Sequence, residues 1–427
     1  MKTRQVRRRA KTPSAVQRGA ALIVMLALVG IVAVALVLKV GYAAGNRTDR
    51  DTKTALALGQ ARDALIARAA MDANRPGSLP CPDTDNDGVA ELFTGVNCPA
   101  YVGRLPWRTL GLPDLRDGSG ERLWYALSAV FRDKNASSVT LNSDTPGTLS
   151  VTGSAPASNV IAIVFAPGEP VGSQFRDTAN ENVVGNYLEG VNASGGTAFS
   201  NAPVSDTFND RLLVIGSDDL MPAVERRVAR EAKVCLDGFS KLPTANNRYP
   251  WAAPVWDVGS FADFSGNNFG RIPKTLANTR ADLSDPSLDW PTLVNVATPC
   301  FGAATWWDDW RELLFYQVAS AYEPGLGAPG ACPANCLTVD GVGSVMAVVI
   351  VAGRMISANP TQSRGPSSFL KWVPANYLET DPASGINNAT GAVTGNYVRA
   401  PVMPIGSARF NDKLECLQLT LTWPCGS

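Results

Sequence analysis

One half of this chain repeats the other, and that constrains its fold more than any other feature. GRLPWRTL at 103–110 returns as GRIPKTL at 270–276, and LWYALS at 123–128 returns as LFYQVA at 314–319. LSVTG at 149–153 matches LTVDG at 337–341, and an apolar run follows each, NVIAIVFAPG at 159–168 and SVMAVVIVAG at 344–353. Gln174-Phe175-Arg176 then pairs with Gln362-Ser363-Arg364, NYLEG at 186–190 with NYLET at 376–380, and FNDRL at 208–212 with FNDKL at 410–414. Matches in one unbroken order are the mark of a tandem duplication.

A helical pattern precedes each copy. In 51–73 the apolar residues Ala55, Leu56, Leu58, Ala61, Leu65, Ile66 and Ala69 recur near a period of 3.6, and Arg75-Pro76-Gly77 ends the run. LMPAVERRVAREAKVCLDGF at 220–239 occupies the same place before the second copy. Short β-rich runs separated by Gly, Pro, Asn and Asp fill the rest. The predicted module is a helix laid over a small antiparallel sheet, the first spanning 51–217 and the second 218–427. The repeated Asn-Tyr-Leu-Glu and Phe-Asn-Asp strings read as elements that hold loops, because Asn and Asp side chains bond to nearby backbone. Tryptophans such as Trp306, Trp307 and Trp310 read as packing residues.

Charge is distributed unevenly along the chain. The formal balance of zero hides seven Lys/Arg without an acid in 1–19, so the remainder carries a net −7. That mildly acidic bulk argues against nucleic acid as a partner. Residues 20–38, AALIVMLALVGIVAVALVL, carry no charge. As a helix they would extend about 29 Å, the thickness of a bilayer core, with the basic leader on the cytoplasmic side. The sequence therefore predicts a leader at 1–19, a transmembrane helix within 20–50, and a periplasmic bulk on a single-pass inner-membrane protein.

Eight cysteines, at 81, 98, 235, 300, 332, 336, 416 and 425, fit disulfides in an exported chain. The local pairs Cys81–Cys98, Cys332–Cys336 and Cys416–Cys425 are the easiest to close, which leaves Cys235 with Cys300. Between the first two cysteines lies Asp83-Thr84-Asp85-Asn86-Asp87-Gly88-Val89-Ala90-Glu91. Asp at alternate positions followed by Gly opens a calcium loop, since the carboxylates converge and Gly permits the turn. Asp83, Asp85, Asp87 and Glu91 are the candidate ligands for a structural Ca2+, although position twelve is Thr94 rather than Glu. The second copy lacks such a loop. With no histidine in the chain, Ser-His-Asp and Cys-His catalysis and His-ligated metal centres are excluded. The expectation is a non-enzyme.

The Gly19–Ala20 junction, basic before and apolar after, resembles the class III signal of type IV prepilins and type II secretion pseudopilins. That resemblance implies cleavage after Gly19 by a prepilin peptidase, N-methylation of Ala20, and assembly with other pilins or pseudopilins. Major pilins carry Glu at the fifth mature position, where this chain has Val24. In this it resembles the minor pseudopilin that caps a filament tip. LPCPDTDNDG, GRLPWRTLGLP and DGSGERLWYALS look like the pattern of large pilin-like proteins, and DGSGERLWY is similar to the D-x-W-G-x-x-x-x-Y turn of the major pseudopilin, with Ser119 for Trp. The implied fold is α+β, a long N-terminal transmembrane and amphipathic helix followed by two tandem pilin-like modules. A second reading is an anchored periplasmic binding or adhesive protein that never polymerises.

Overall fold

The computed structural model describes residues 47–134, 139–292, 300–301, 305–332, 335–357, 361–365, 367–399 and 410–418. Its first helix, α1, covers 47–71. Ala57, Leu58, Ala61, Leu65 and Ala69 form its buried stripe, three or four residues apart, as a helix packed on one side requires. The Asp72 carboxylate then accepts the backbone N–H groups of Asn74 and Arg75, at 2.9 and 2.8 Å, and turns the chain.

Seven strands follow: β1 (Val102–Arg104), β2 (Trp124–Leu127), β3 (Leu149–Gly153), β4 (Ala157–Val160), β5 (Ala162–Ala166), β6 (Ala198–Asn201) and β7 (Arg211–Ile215). The order β1-β2-β5-β7 makes a four-stranded antiparallel sheet. The order β4-β3-β6 makes a smaller one, in which β3 pairs antiparallel with β4 and parallel with β6. Alternation assigns the two faces of the larger sheet. Tyr125, Leu127, Ala162 and Val164 share a buried cluster with the α1 stripe. Trp124, Ala126, Ile163 and Phe165 point the other way, into a cluster with Val151 and Phe199 of the smaller sheet. The first half is therefore three layers: helix, sheet, small sheet.

Helix α2 (Ser217–Ser240) leads into the second half. Leu220, Val224, Val228, Ala232, Leu236 and Phe239 are its buried stripe. The strands are β8 (Phe269–Arg271), β9 (Leu314–Val318), β10 (Leu337–Val339), β11 (Val342–Val345), β12 (Ala347–Val351), β13 (Asn396–Tyr397) and β14 (Lys413–Leu417). They pair as β8-β9-β12-β14 and β11-β10-β13, the same topology strand for strand. Equivalent hydrogen bonds recur as well. Tyr125 Oη donates to Pro80 O and Tyr316 Oη to Pro250 O, at 3.4 and 3.1 Å. The two halves share one buried cluster that runs from α1 through α2 to β12 and β14. Each large apolar side chain in it contributes roughly 1.5–3 kcal/mol by leaving water.

Two expectations are corrected. Four small sheets replace one antiparallel sheet per module, and two of them are mixed, because β3 and β10 each take a parallel partner from a distant loop. The expected long N-terminal transmembrane helix, and with it the single-pass inner-membrane placement, is not what the structure shows. Among the described residues no helix is long and apolar enough to cross a membrane. Helix α1 carries charges along its outer side, including Arg62, Asp63 and Arg68. Residues 20–38, Gly19 and Ala20 lie outside the described residues.

The Gly-Arg dipeptide of each copy has a steric reason. A Cβ on Gly103 would sit 2.6 Å from Asp83 O, and one on Gly270 would strike Ala253 O, so both edge strands need glycine. Gly103→Ala and Gly270→Ala should each lower unfolding free energy by about 1–3 kcal/mol in urea titrations. Gly59→Ala, on an open face of α1, should raise it by about 0.5–1 kcal/mol.

Candidate functional site

The acidic loop is closed at its base by the Cys81–Cys98 disulfide, with Cα atoms 5.5 Å apart. Asp83 is buried and organises the turn: Oδ1 accepts from Asp85 N and Asn86 N at 3.1 and 2.6 Å, and Oδ2 from Gly88 N at 2.7 Å. Asn86 and Gly88 both have positive φ, 66° and 87°, and the Trp107 ring lies where a Cβ on Gly88 would be. Glu91 turns back to accept from Thr84 N and Oγ1, at 3.0 and 2.6 Å. One oxygen each of Asp83, Asp85 and Glu91 lies within 4.8 Å of the others. Asp87 is not part of that group; its carboxylate caps Val89 N at 2.7 Å. Burial pushes the Asp83 carboxyl up, against the Gly88 and Asn86 amides, and the charges of Asp85 and Asp87 add to the rise. Three hard oxygen donors at this separation can accept one hard cation.

The second half has Ala253 where the first has Asp83. Both residues exchange backbone hydrogen bonds with the arginine of the Gly-Arg dipeptide, Asp83 with Arg104 and Ala253 with Arg271. The backbone frame of the loop is common to both halves, and the carboxylate belongs to the first alone.

The repeated strings form a second arrangement, once in each half. Arg176 donates to Asn186 O, Gly168 O and Gln174 Oε1 at 2.7, 2.6 and 2.8 Å. Arg364 donates to Asn376 O, Gly353 O and Gln362 Oε1 at 2.8, 2.8 and 3.0 Å. Glu189 Oε2 accepts from Asn209 N and Asp210 N, both at 3.0 Å, while Asp210 Oδ2 accepts from Glu189 N at 2.9 Å. Glu379 and Asp412 repeat the exchange through Asn411 N and Glu379 N, at 2.9 and 3.1 Å. These four carboxyl groups are buried, so their work is to fasten loops. The same holds for Trp306, Trp307 and Trp310, which are buried with Phe301 and Trp290.

The disulfides Cys235–Cys300 and Cys332–Cys336 also form. Cys416 is disulfide-bonded, and Cys425 lies outside the described residues. Comparison with known proteins adds no assignment. No family model, no curated protein and no solved structure matches the chain.

A third feature was not singled out in the sequence. Arg104 stacks over the rings of Trp124 and Tyr187, at 4.4 and 3.9 Å from their centroids. Arg271 does the same over Phe315 and Tyr377, at 3.8 and 4.7 Å. Burial lowers both guanidinium groups, Arg271 to about 10. The repeated Gly-Arg and Asn-Tyr strings were visible, but a pairing across about eighty to a hundred residues of sequence has no local signal.

The buried acid pairs give a pH dependence of defined sign. Asp210 is raised to about 8, first by burial and then by the Glu189 charge, with the Glu189 N–H opposing. A carboxyl raised on folding stabilises fully below its unfolded value near 3.8, and that contribution is lost as pH rises through about 8. Asp210→Asn should therefore flatten the loss of melting temperature between about pH 4 and pH 8, and be relatively more stable than wild type at the upper end.

Proposed function

We propose that the chain is an assembly component of a type IV pilus or type II secretion system, a minor pilin or pseudopilin whose two-module head stands at a filament tip. The observation that carries this reading is the Gly19–Ala20 junction, a basic leader meeting an uncharged run with no polar gap. Prepilin peptidase and other pilins or pseudopilins are the partners it implies. Val24, where a shaft subunit has Glu, favours a terminal position. The shape of the head also favours it, because two halves joined through one core make a bulky body that would obstruct a repeating shaft. The buried acid networks support a scaffold that presents a surface. A non-polymerising binding protein is the alternative, favoured by the arginine-lined cavity described below.

The mature N-terminus decides between them. Mass spectrometry should find N-methylated Ala20, whereas an intact Met1 or a cut elsewhere would remove the pilin reading.

The acidic loop is proposed as a structural Ca2+ clamp, with Asp83, Asp85 and Glu91 as ligands and Asp87 holding the turn. The first-half location fits a local brace better than a function shared by both modules. Calcium should raise the melting temperature, EDTA should reverse the rise, and Asp85→Ala should abolish it. An unchanged melting curve would return the loop to a self-capped acidic turn.

A further inference from the structure

The two halves bury equivalent arginines on equivalent rings, yet they treat the space beside them differently. In the second half Arg271 donates Nε to Glu312 O at 2.8 Å and Nη2 to Lys371 O at 3.2 Å. Lys371 comes from a short helix, Ser368–Lys371, and its ammonium pairs with Glu312. Arg271 is sealed, 1% exposed. Between Arg176 and Tyr187 the first half has only a 3-10 turn, Val184–Asn186, and no α-helix to match it. There the backbone passes at Glu181, whose carbonyl takes Arg104 Nη2 at 2.6 Å, and a cavity of about 410 Å³ is left open.

Four guanidinium groups line that cavity, Arg104, Arg116, Arg122 and Arg176, and of these Arg116 and Arg122 share a single carboxylate, Asp114, at 2.7 and 2.9 Å. Arg104 is 3% exposed and its Nε has no hydrogen-bond partner. Its two side-chain hydrogen bonds go to the neutral carbonyls of Arg122 and Glu181. Among the described residues no carboxylate makes an ion pair with it. The acids on the rim are already engaged. Glu121 lies 3.4 Å from Arg176, Glu181 accepts from Asn86 Nδ2 at 2.8 Å, and Asp177 caps Ala179 N and Asn180 N at 3.1 and 2.9 Å. In the repeat, Leu313 stands where Arg122 is. The first half thus carries an added cation and an open approach at the position that the second half fills.

We propose that this cavity binds a ligand through its carboxylate, presented either by a free small acid or by an acidic side chain of a partner protein. A planar carboxylate matches the guanidinium fork. The volume suits a small ligand or one side chain with its neighbours.

Calorimetric titration of the full chain with citrate and, separately, with a Glu-rich hexapeptide tests the assignment. Saturable binding of citrate alone assigns the cavity to a free acid, and tighter binding of the peptide assigns it to a partner segment. In either case Arg116→Gln, a half-exposed position, and Arg122→Leu, the residue of the repeat, should each weaken binding about tenfold or more. Arg354→Gln, an exposed arginine of the second half, should leave it unchanged. No saturable binding of either probe up to about 10 mM overturns the proposal, given that even millimolar affinity would register. Equal loss in all three variants overturns it too, because binding would then be diffuse attraction to surface cations.

Discussion

A reciprocal exchange between one glutamate and one aspartate holds each half of this molecule together. Glu189 accepts from the amides at 209 and 210, and Asp210 accepts from the amide of Glu189. The same exchange joins Glu379 to 411 and 412. It fixes the long loop after the central strand, β5 or β12, to the segment leading into the last strand, β7 or β14. Asn192 and Asn388 extend it, each reaching both the aspartate and the backbone of the loop that carries the parallel strand. In the first half this knot adds to the apolar packing of Phe165 on Phe199 that seats the smaller sheet over the larger. Its cost is two acids in a low-dielectric site, one of which must hold its proton.

The halves differ where the loops face outward, and those differences adjoin one another in the first half. Asn86 sits at the turn of the acidic loop and also lines the arginine cavity. Arg122 Nη1 donates to both Asn86 O and Asn86 Oδ1 at 2.8 Å, while Asn86 Nδ2 reaches Glu181. Asp83 and Arg122 have become Ala253 and Leu313 in the repeat, so the loss of one feature accompanies the loss of the other. A duplicated fold needs its loop-fastening residues twice. It needs a binding feature once, and residues present in only one copy mark where to look for it.

Much of this was legible before any coordinates. The helix expected at 51–73 is found at 47–71, and the one at 220–239 is found at 217–240, because a buried stripe every three or four residues is a local signal. The role of Asn-Tyr-Leu-Glu and Phe-Asn-Asp in holding loops also follows from residue chemistry. The second sheet of each half was not legible. LSVTG and LTVDG read as members of the one antiparallel sheet, yet each pairs in parallel with a strand about fifty to sixty residues later. No turn announces such a pairing. At the acidic loop the D-x-D-x-D-G pattern marked three of the residues that meet or cap there, but spacing alone could not tell that Asp87 turns away to Val89. Arg104 was invisible as a site, since its meaning depends on what covers its counterpart.

The join between the halves is itself asymmetric. Arg176 has Glu121 of its own half beside it, whereas Arg364 takes Asp144 of the first half, at 3.0 Å from Nη1 to both carboxylate oxygens. Asp144 Oδ1 also accepts from Met355 N, and the neighbouring Ser143 Oγ donates to Glu225 of α2 at 2.7 Å. Glu225 is 3% exposed and raised to about 7 by burial, with Lys413 the nearby cation that lowers it. The loop at 141–144 thus supplies partners that the second half lacks. Separated from the first, that half would leave Arg364 without its only carboxylate among the described residues. Removing one partner of a buried charge is far more costly than never having had the pair. The second module thus takes part of its charge pairing from the first, and the larger of the buried clusters is common to both halves.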